Sequence, residues 1–375
     1  MKKKGIIISI IALLFVIVAT IVINKNNQKY IMQDGVMLAM TLDGKEITSF
    51  PERGAYKIEI DCEDTAKGKW LVEEWKLAVE EINGNVTCNI SFITNPTTLK
   101  SEVETVNTNQ NYYGFGYRYS GKTPNNWVWF NNEKWRIIGS IPTCLTENCG
   151  TNTTNLIKII RSEILGSYAY DAKASGYTGL WSGNTLYNLL NTHYYSTTIE
   201  GLNGESHAGC YSYSDSNYQP IPNCDYTEIG ILSSSYYGKM IKNVYWNTGE
   251  SSESVTVSTA YTNEIVIQAV SGHVGLMSIS DYGFSADSSY FSAKMDSDSY
   301  AYAASTSWMY NYGYEWTLIS DSDTTQNALY LINNGYLSAT GASTGAAVRP
   351  VVYLDPSVYI ISGDGTEGNP YQIGM

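Results

Sequence analysis

An uninterrupted apolar segment near the start of the chain restricts the possible folds more than any other feature. The residues MKKK precede an apolar run from Ile6 to Ile23 that contains no charged side chain. As a helix, this run has a length of roughly 27 Å, close to the thickness of the hydrocarbon core of a bilayer. Because the lysines come first, the positive-inside rule places the N-terminus in the cytoplasm. The sequence therefore predicts a single-pass protein of the cell membrane that contacts the lipid bilayer through residues 6–23 and has an extracellular C-terminal part.

Two other fates of this leader stay open. A cleaved signal peptide needs a small residue at its processing site, which Ala19 could supply, although the apolar run continues to Ile23. Leaders of pseudopilins also combine lysines, a glycine (here Gly5) and an apolar helix, but they carry a glutamate where this chain has Ile10. In each of the three interpretations, the rest of the chain is exported.

The composition argues against nucleic-acid binding and for a β-rich exported part. The chain carries a net charge of −13, and only 16% of its residues are charged. An acidic chain without a long basic stripe is poorly suited to DNA or RNA, so no nucleic-acid partner is expected. The 32 tyrosines, together with many Ser, Thr, Asn and Gly residues, indicate strands and turns. We therefore expect an α+β, strand-rich fold.

The six cysteines fall into three local groups, which favours pairing in chain order. The number of cysteines does not by itself determine the pairing, but the exterior of a cell permits such bonds. A zinc site is not expected, because the chain has no C-x-x-C pair and its histidines (His193, His207 and His273) lie far apart. The expected disulfides are Cys62–Cys88, Cys144–Cys149 and Cys210–Cys224.

Changes in residue pattern divide the chain into five segments. Apolar residues alternate with period two in AYKIEIDC and NVTCNISF, which predicts two strands of a small unit joined by Cys62–Cys88. A polar stretch that begins with Asn95-Pro96 predicts a linker. The predicted segments are a transmembrane anchor at 1–24, a juxtamembrane segment at 25–49, a small β module at 50–94, a linker at 95–110 and a large domain at 111–375.

Local signals predict several elements of the large domain. WVWF and WRIIG are typical of strands, and Asn131-Asn132 between them predicts a hairpin turn. Asn334-Gly335 predicts a second turn of this kind. The stretch WSGNTLYNLLNTHYYS predicts a short helix with Asn184 or Thr185 as its N-cap.

Five stretches of the large domain, in their order along the chain, resemble a bacterial surface-domain family that has no established function. They are NNWVWFNNEKWRIIG, LYNLLNTHYY, VGLMSISDYGFS, WTLI and AAVRPVVYLDPSVYIISGDGTEGNPYQI. That family is similar to the C-type-lectin-like fold, in the branch shared with formylglycine-generating-enzyme-like domains, so the resemblance implies a C-terminal C-type-lectin-like domain. The small module, with SFPERGAY, two tryptophans and TCNISF, resembles Cys-Trp-Cys β modules that precede larger surface domains in exported Gram-positive proteins.

The functional residues of these families do not carry over. Calcium-dependent lectins use an E-P-N or Q-P-D loop and a W-N-D strand, whereas the nearest fragments here are Gln219-Pro220-Ile221 and Trp246-Asn247-Thr248. Formylglycine-generating enzymes use a cysteine pair near a C-terminal groove, and no cysteine follows Cys224. The pairs Asp296/Asp298 and Asp321/Asp323 have a spacing that calcium loops use, but neither continues into an EF-hand pattern. We therefore expect neither a metal ion nor a cofactor.

A lone arginine among apolar residues, Arg349 in AAVRPVVYLD, is the charged residue that most needs a partner. A buried guanidinium without a carboxylate or carbonyl partner costs free energy. Asp281 in SISDYG is the predicted partner, and both residues are predicted to be structural.

Aromatic residues indicate what the exported part could bind. They are dense in SYAYAASTSWMYNYGYEW, and such rings can stack on sugars or supply apolar contact area. No G-x-S-x-G elbow is present, and no catalytic residue is predicted. The sequence thus predicts a membrane-anchored extracellular binding or adhesion protein of a bacterium, with a glycan or a surface protein as ligand. An extracellular enzyme acting on cell-wall or protein substrates and a pilus-associated structural component are the alternatives. The candidate ligand-binding residues are Tyr300, Tyr302, Trp308, Tyr310 and Tyr312, with Tyr211, Tyr213 and Tyr218 as further loop candidates.

Overall fold

The structure is a computed structural model of the chain. It describes residues 21–23, 29–33, 36–82, 84–173, 175–201, 209–214, 217–297, 300–311 and 313–375. The described part of the chain is strand-rich, with 38% of its residues in strands and 15% in helices. It divides into two compact units, one up to Asn95 and one from Pro96 onward.

The first unit is a β-sheet with an added hairpin. The strands are β1 (Ile21–Ile23), β2 (Lys29–Gln33), β3 (Val36–Leu42), β4 (Lys45–Ile47), β5 (Tyr56–Cys62), β6 (Lys67–Leu71), β7 (Lys76–Glu80) and β8 (Val86–Thr94). In the middle of the sheet, β3 and β8 run parallel, in register from the pair Val36–Val86 to the pair Leu42–Phe92. On its other side β8 pairs with β5 in antiparallel register, which places Cys62 opposite Cys88.

The prediction of an N-terminal transmembrane helix is wrong in the part of the chain that the structure describes. Its last three residues, Ile21–Ile23, form strand β1 and pair with Lys29, Tyr30 and Ile31 of β2. The physical reason is local, since the β-branched residues Ile and Val favour strands and the following segment offers hydrogen-bonding partners. None of the helices among the described residues has the length and apolar composition that a bilayer crossing requires. Residues 1–20, which hold the rest of the predicted span, lie outside the described residues.

The segment predicted to be juxtamembrane contains β3, which lies in the interior of the sheet. Val36, Leu38 and Met40 are buried and alternate with less buried residues, as expected for a strand with one face in a core. Beneath the sheet, the buried Trp70 contacts Phe50, Trp75 and Phe92 edge-on, at ring-centroid distances of 5.0, 5.2 and 5.2 Å. The predicted strands around Cys62 and Cys88 are confirmed.

The second unit is built around two large sheets. The strands of this unit are β9 (Tyr117–Arg118), β10 (Trp127–Phe130), β11 (Glu133–Thr143), β12 (Thr154–Arg161), β13 (Gly166–Ala169), β14 (Ile199–Gly201), β15 (Cys210–Ser214), β16 (Asn217–Pro220), β17 (Asn223–Asp225), β18 (Val244–Trp246), β19 (Val270–Gly272), β20 (Val274–Gly275), β21 (Glu315–Ser320), β22 (Asn327–Leu331), β23 (Leu337–Gly341), β24 (Gly345–Val348), β25 (Val351–Leu354), β26 (Tyr359–Ser362) and β27 (Tyr371–Gly374). One large sheet has the strand order β20-β25-β12-β11-β10-β27-β26, with β9 also paired to β11, and the other has the order β16-β15-β13-β24-β21-β22-β23.

Short helices accompany these sheets. They are α1 (Leu99–Val106), α2 (Thr185–Asn188), α3 (Val257–Glu264), α4 (Ile279–Phe284) and α5 (Ala301–Ala304), with a π-helical turn at Leu189–His193 and 3₁₀ turns at Thr108–Gln110, Tyr112–Gly114, Tyr194–Ser196, Gly238–Met240 and Ser288–Tyr290. The segment predicted as a linker differs from the expectation, because it contains α1, which Thr98 caps and which buries Leu99 and Val103. The predicted cap of α2 is confirmed, since the side chain of Asn184 accepts a hydrogen bond from the backbone of Tyr187.

Candidate functional site

A tight hairpin places an arginine against two tryptophans in the second unit. Asn131 and Asn132 both have positive φ angles, of 52° and 60°, which a two-residue turn between β10 and β11 requires. The resulting register sets Trp127 directly opposite Arg136. The guanidinium carbon of Arg136 lies 4.1 Å from the ring centroid of Trp127 and 4.7 Å from that of Trp308. We call these three residues the Arg136 site.

Hydrogen bonds fix the orientations of Arg136 and Trp308. The Nε of Arg136 donates to Oδ1 of Asn126 at 2.6 Å, and Asn126 is itself held by donating its Nδ2 to the carbonyl of Ile137 at 2.8 Å. Trp308 donates its indole N–H to the carbonyl of Tyr119 at 2.8 Å. The terminal nitrogens of the Arg136 guanidinium have no hydrogen-bond partner among the residues that the structure describes.

The Arg136 site is electrostatically positive. Burial lowers the pKa of Arg136 to about 10, with a further contribution from the nearby positive charge of Arg349, while Glu367 acts in the opposite direction. Arg136 therefore stays protonated at neutral pH. It is half-buried, and none of its described neighbours forms an ion pair with it.

Arg349 has a different partner from the predicted one. Its guanidinium makes two hydrogen bonds to Glu315, at 2.7 and 3.0 Å, and a third to the carbonyl of Met309 at 2.7 Å. All of this is buried, with Arg349 only 5% exposed. The predicted pairing of Arg349 with Asp281 is therefore wrong. Arg349 directly follows strand β24, and Glu315 is the first residue of strand β21, 34 residues earlier in the chain, so no local signal indicated the observed pair.

Asp281 belongs to a second buried group of charges. Its carboxylate accepts hydrogen bonds from Arg118 at 2.7 Å and from Lys158 at 2.5 Å, and both oxygens are inaccessible to solvent. Burial alone would raise the pKa of Asp281, but the two cations hold it below its usual range. Asp281 also forms a capping box with Ser278 at the start of α4. These contacts give Asp281 a role in fixing the helix to the sheet.

A second carboxylate, Glu264, lies beside this group. It accepts hydrogen bonds from the backbone N–H and the hydroxyl of Ser280, at 2.8 and 2.5 Å. Burial raises its pKa to about 7, and the neighbouring Asp281 adds to the shift. A cavity of about 10 Å³, roughly the room that one water molecule needs, is lined by these residues together with Trp246 and Tyr353. The cavity is too small for an organic ligand.

The predicted aromatic residues do not form one binding surface. Tyr300 is fully buried and donates its hydroxyl to the carbonyl of Gly283, so it is not available to a ligand. Tyr302 is 76% exposed, whereas Tyr310 is half-buried and donates its hydroxyl to the carbonyl of Asn333. Trp308 is only 8% exposed, and one face of its ring is occupied by Arg136. Tyr312 lies outside the described residues.

The remaining loop candidates also have no common site. Tyr211 is buried and donates its hydroxyl to the carbonyl of Ser343. The side chains of Tyr213 and Tyr218 lie outside the described part of the structure. The predicted disulfides are all confirmed: Cys62–Cys88, Cys144–Cys149 and Cys210–Cys224.

Trp127 and Arg136 were not among the binding residues predicted from the sequence. A signal was present, because a two-residue turn at Asn131-Asn132 fixes the register of WVWF against EKWR and so places Trp127 across from Arg136. The approach of Trp308 had no such signal, since it depends on the packing of a distant loop.

The candidate calcium pairs do not form a metal site in the described residues. Asp321 is buried and accepts a hydrogen bond from the backbone N–H of Asp323, as in a turn. Asp298 lies outside the described residues. Within the described ranges, no three His, Cys, Asp or Glu side chains come together in a way that could hold a metal ion.

Comparison of the chain with protein-family models, with curated proteins and with solved structures found no match. The resemblance to a bacterial surface-domain family therefore stays a prediction, and the function has to be argued from the residues of the site.

Proposed function

We propose that the protein is an exported binding protein whose second unit recognises a glycan at the Arg136 site. The observation that carries this proposal is a half-buried guanidinium that packs on two indole rings and keeps its terminal N–H groups without a partner among the described residues. The partly exposed indole of Trp127 supplies a flat apolar surface on which a sugar ring can pack, and the guanidinium supplies hydrogen-bond donors for the oxygens of the sugar.

Export is supported by the cysteines. All six are paired, in both units, and the described chain holds no free thiol. Disulfides of this kind form and persist in oxidising compartments and are rare in the cytosol.

A glycan array probed with the full-length protein tests the proposal. We expect binding to a subset of glycans, and we expect Trp127→Ala to abolish it, because Trp127 is the partly exposed ring of the site. The matched control is Tyr113→Ala, which removes a ring that is 64% exposed and not part of the site. If no glycan binds, or if Trp127→Ala binds as the unchanged protein does, the proposal is wrong.

A further inference from the structure

We infer that the ligand of the Arg136 site is an acidic sugar, and that Arg136 binds its carboxylate. This inference rests on the proposed function and names the chemical class of the glycan. It follows from the geometry of the guanidinium, from the charges around it and from a second cation on the same strand.

The guanidinium presents the geometry that a carboxylate requires. Arginine offers its donors in a planar fork that matches the two oxygens of a carboxylate. The Nε of Arg136 is occupied by Asn126, which fixes the plane of the group, while the two terminal nitrogens stay available. Packing on Trp127 and Trp308 further limits the rotation of the side chain. Less conformational freedom is therefore lost when a ligand binds.

Among the described residues, no carboxylate lies close enough to Arg136 to form an ion pair with it. The neighbouring Arg349 is neutralised by Glu315, which is buried with it. The acid that interacts with Arg136 from the surface is Glu367, which is 66% exposed and lies 3.8 Å from the Nζ of Lys134. A half-buried cation without a partner is costly, and a ligand carboxylate would remove that cost.

A second cation lies on the same side of strand β11. Residues two apart in a strand point to the same face, and the Nζ of Lys134 lies 5.6 Å from the ring centroid of Trp127. The indole of Trp127 is therefore accompanied by two cations, Arg136 and Lys134. A pyranose ring that carries a carboxylate can pack on the indole and place its charge beside them, whereas a neutral sugar uses the ring contact alone.

The test compares acidic oligosaccharides with their own methyl esters by titration calorimetry on the full-length protein. Oligomers of uronic acids and of sialic acids are used, because esterification removes the charge and keeps the ring. We expect at least one acid to bind ten-fold more tightly than its ester, and the difference to shrink as the salt concentration rises. We expect Arg136→Gln to abolish the preference, and Arg136→Lys, which keeps the charge but not the fork, to retain part of it.

The control is Lys239→Gln, which removes one exposed positive charge from the same unit and should leave the preference unchanged. Thermal unfolding of each variant shows whether it is folded. If esters bind as tightly as acids, or if folded Arg136→Gln keeps the preference, the inference is overturned while glycan binding stands. If neither acids nor esters bind and the glycan array is also negative, both the inference and the proposed function are overturned.

Discussion

Buried charged side chains largely determine how single substitutions and pH act on the second unit. Asp281, Glu264 and Glu315 are each at most 2% exposed, and each has a specific hydrogen-bonding partner. Burial raises the pKa of Glu264 and of Glu315, the latter in spite of Arg349, whereas the two cations Lys158 and Arg118 outweigh burial and lower the pKa of Asp281. The three residues therefore differ in how they change the stability of the second unit with pH, although all are acids.

Glu264 makes stability decrease as the pH rises towards neutrality. Its pKa is about 7 in the folded protein, compared with an ordinary value of 4.5. Below pH 4.5 both states hold the proton, whereas between pH 4.5 and 7 only the folded state does. The protonated Glu264 therefore contributes about 3 kcal/mol to the free energy of unfolding below pH 4.5. This contribution is lost as the pH rises to 7.

The measurement is urea unfolding at several pH values for the unchanged protein and for Glu264→Gln. We expect the variant to lack the decrease between pH 4.5 and 7. Asp281 acts in the opposite direction, since its lowered pKa adds stability that is lost only as the pH falls through and below its ordinary range. Parallel pH profiles of the two proteins between pH 4.5 and 7 would show that Glu264 does not titrate as argued.

Arg349→Met should strongly destabilise the second unit. The substitution leaves the carboxylate of Glu315 buried without its partner, which typically costs about 3–5 kcal/mol. The double variant Arg349→Met, Glu315→Met removes both charges, and we expect it to recover much of the loss, because well-packed apolar residues can replace a buried pair. Urea unfolding of the single and double variants gives the comparison. Equal losses in both would argue against unpaired charge as the cause.

At the scale of elements, turns control the positions of the strands. Gly335 has a φ of +82° between β22 and β23, as predicted from Asn334-Gly335. A Cβ at this position would lie 2.2 Å from the Cβ of Ala304 and 3.1 Å from the hydroxyl oxygen of Tyr282. The turn therefore requires glycine for its backbone angle and also for the space beside α5.

We expect Gly335→Ala to lower the free energy of unfolding by about 2–4 kcal/mol, from the backbone strain and the steric clash together. The control is Gly183→Ala, which has a φ of +71° and no atom within 4 Å of the added Cβ. That variant should cost about 1 kcal/mol, because it carries the backbone term alone. Thermal or urea unfolding measures both. Similar costs for the two variants would mean that the contact with Ala304 is easily relieved.

Local patterns predicted single elements better than their assembly. The alternation of Tyr56, Ile58 and Ile60 predicted strand β5, and Asn184 was identified as a helix cap, because such signals depend on near neighbours. The partner of Asp281 could not be found in this way, since Arg118 is 163 residues away in the sequence. The hydrophobic segment at the N-terminus was misinterpreted at Ile21–Ile23, because apolar β-branched residues are compatible with a strand as well as with a membrane helix.

At the scale of the whole molecule, the two units depend to different degrees on their disulfides for stability. The first unit has a small core and a bridge, Cys62–Cys88, that spans 26 residues of sequence. Small units depend more on such links, because they bury less apolar surface on folding. The second unit has the larger core and two bridges with shorter spans, of 5 and 14 residues.

Replacing both Cys62 and Cys88 by serine should destabilise the first unit by roughly 3–4 kcal/mol and leave the second unit folded. Segment-resolved hydrogen exchange provides the measurement, with loss of protection expected in β5 and β8 but not in β11 or β12. The matched control is the pair Cys144→Ser and Cys149→Ser, which opens a much shorter loop in the other unit. Loss of protection in both units after the Cys62 and Cys88 substitutions would contradict this division.

The parallel pairing of β3 with β8 gives the first unit a mechanical property. A pull on the chain at Val36 and at Thr94 acts along these neighbouring strands in opposite directions. The pull therefore acts as a shear force on all seven residue pairs of β3 and β8 at the same time, and the pairs do not separate one after another. The hydrogen bonds of a parallel pair are evenly spaced, so the load is shared along the strands. A stretched chain that contains this unit should resist extension until all hydrogen bonds between β3 and β8 break in a single event.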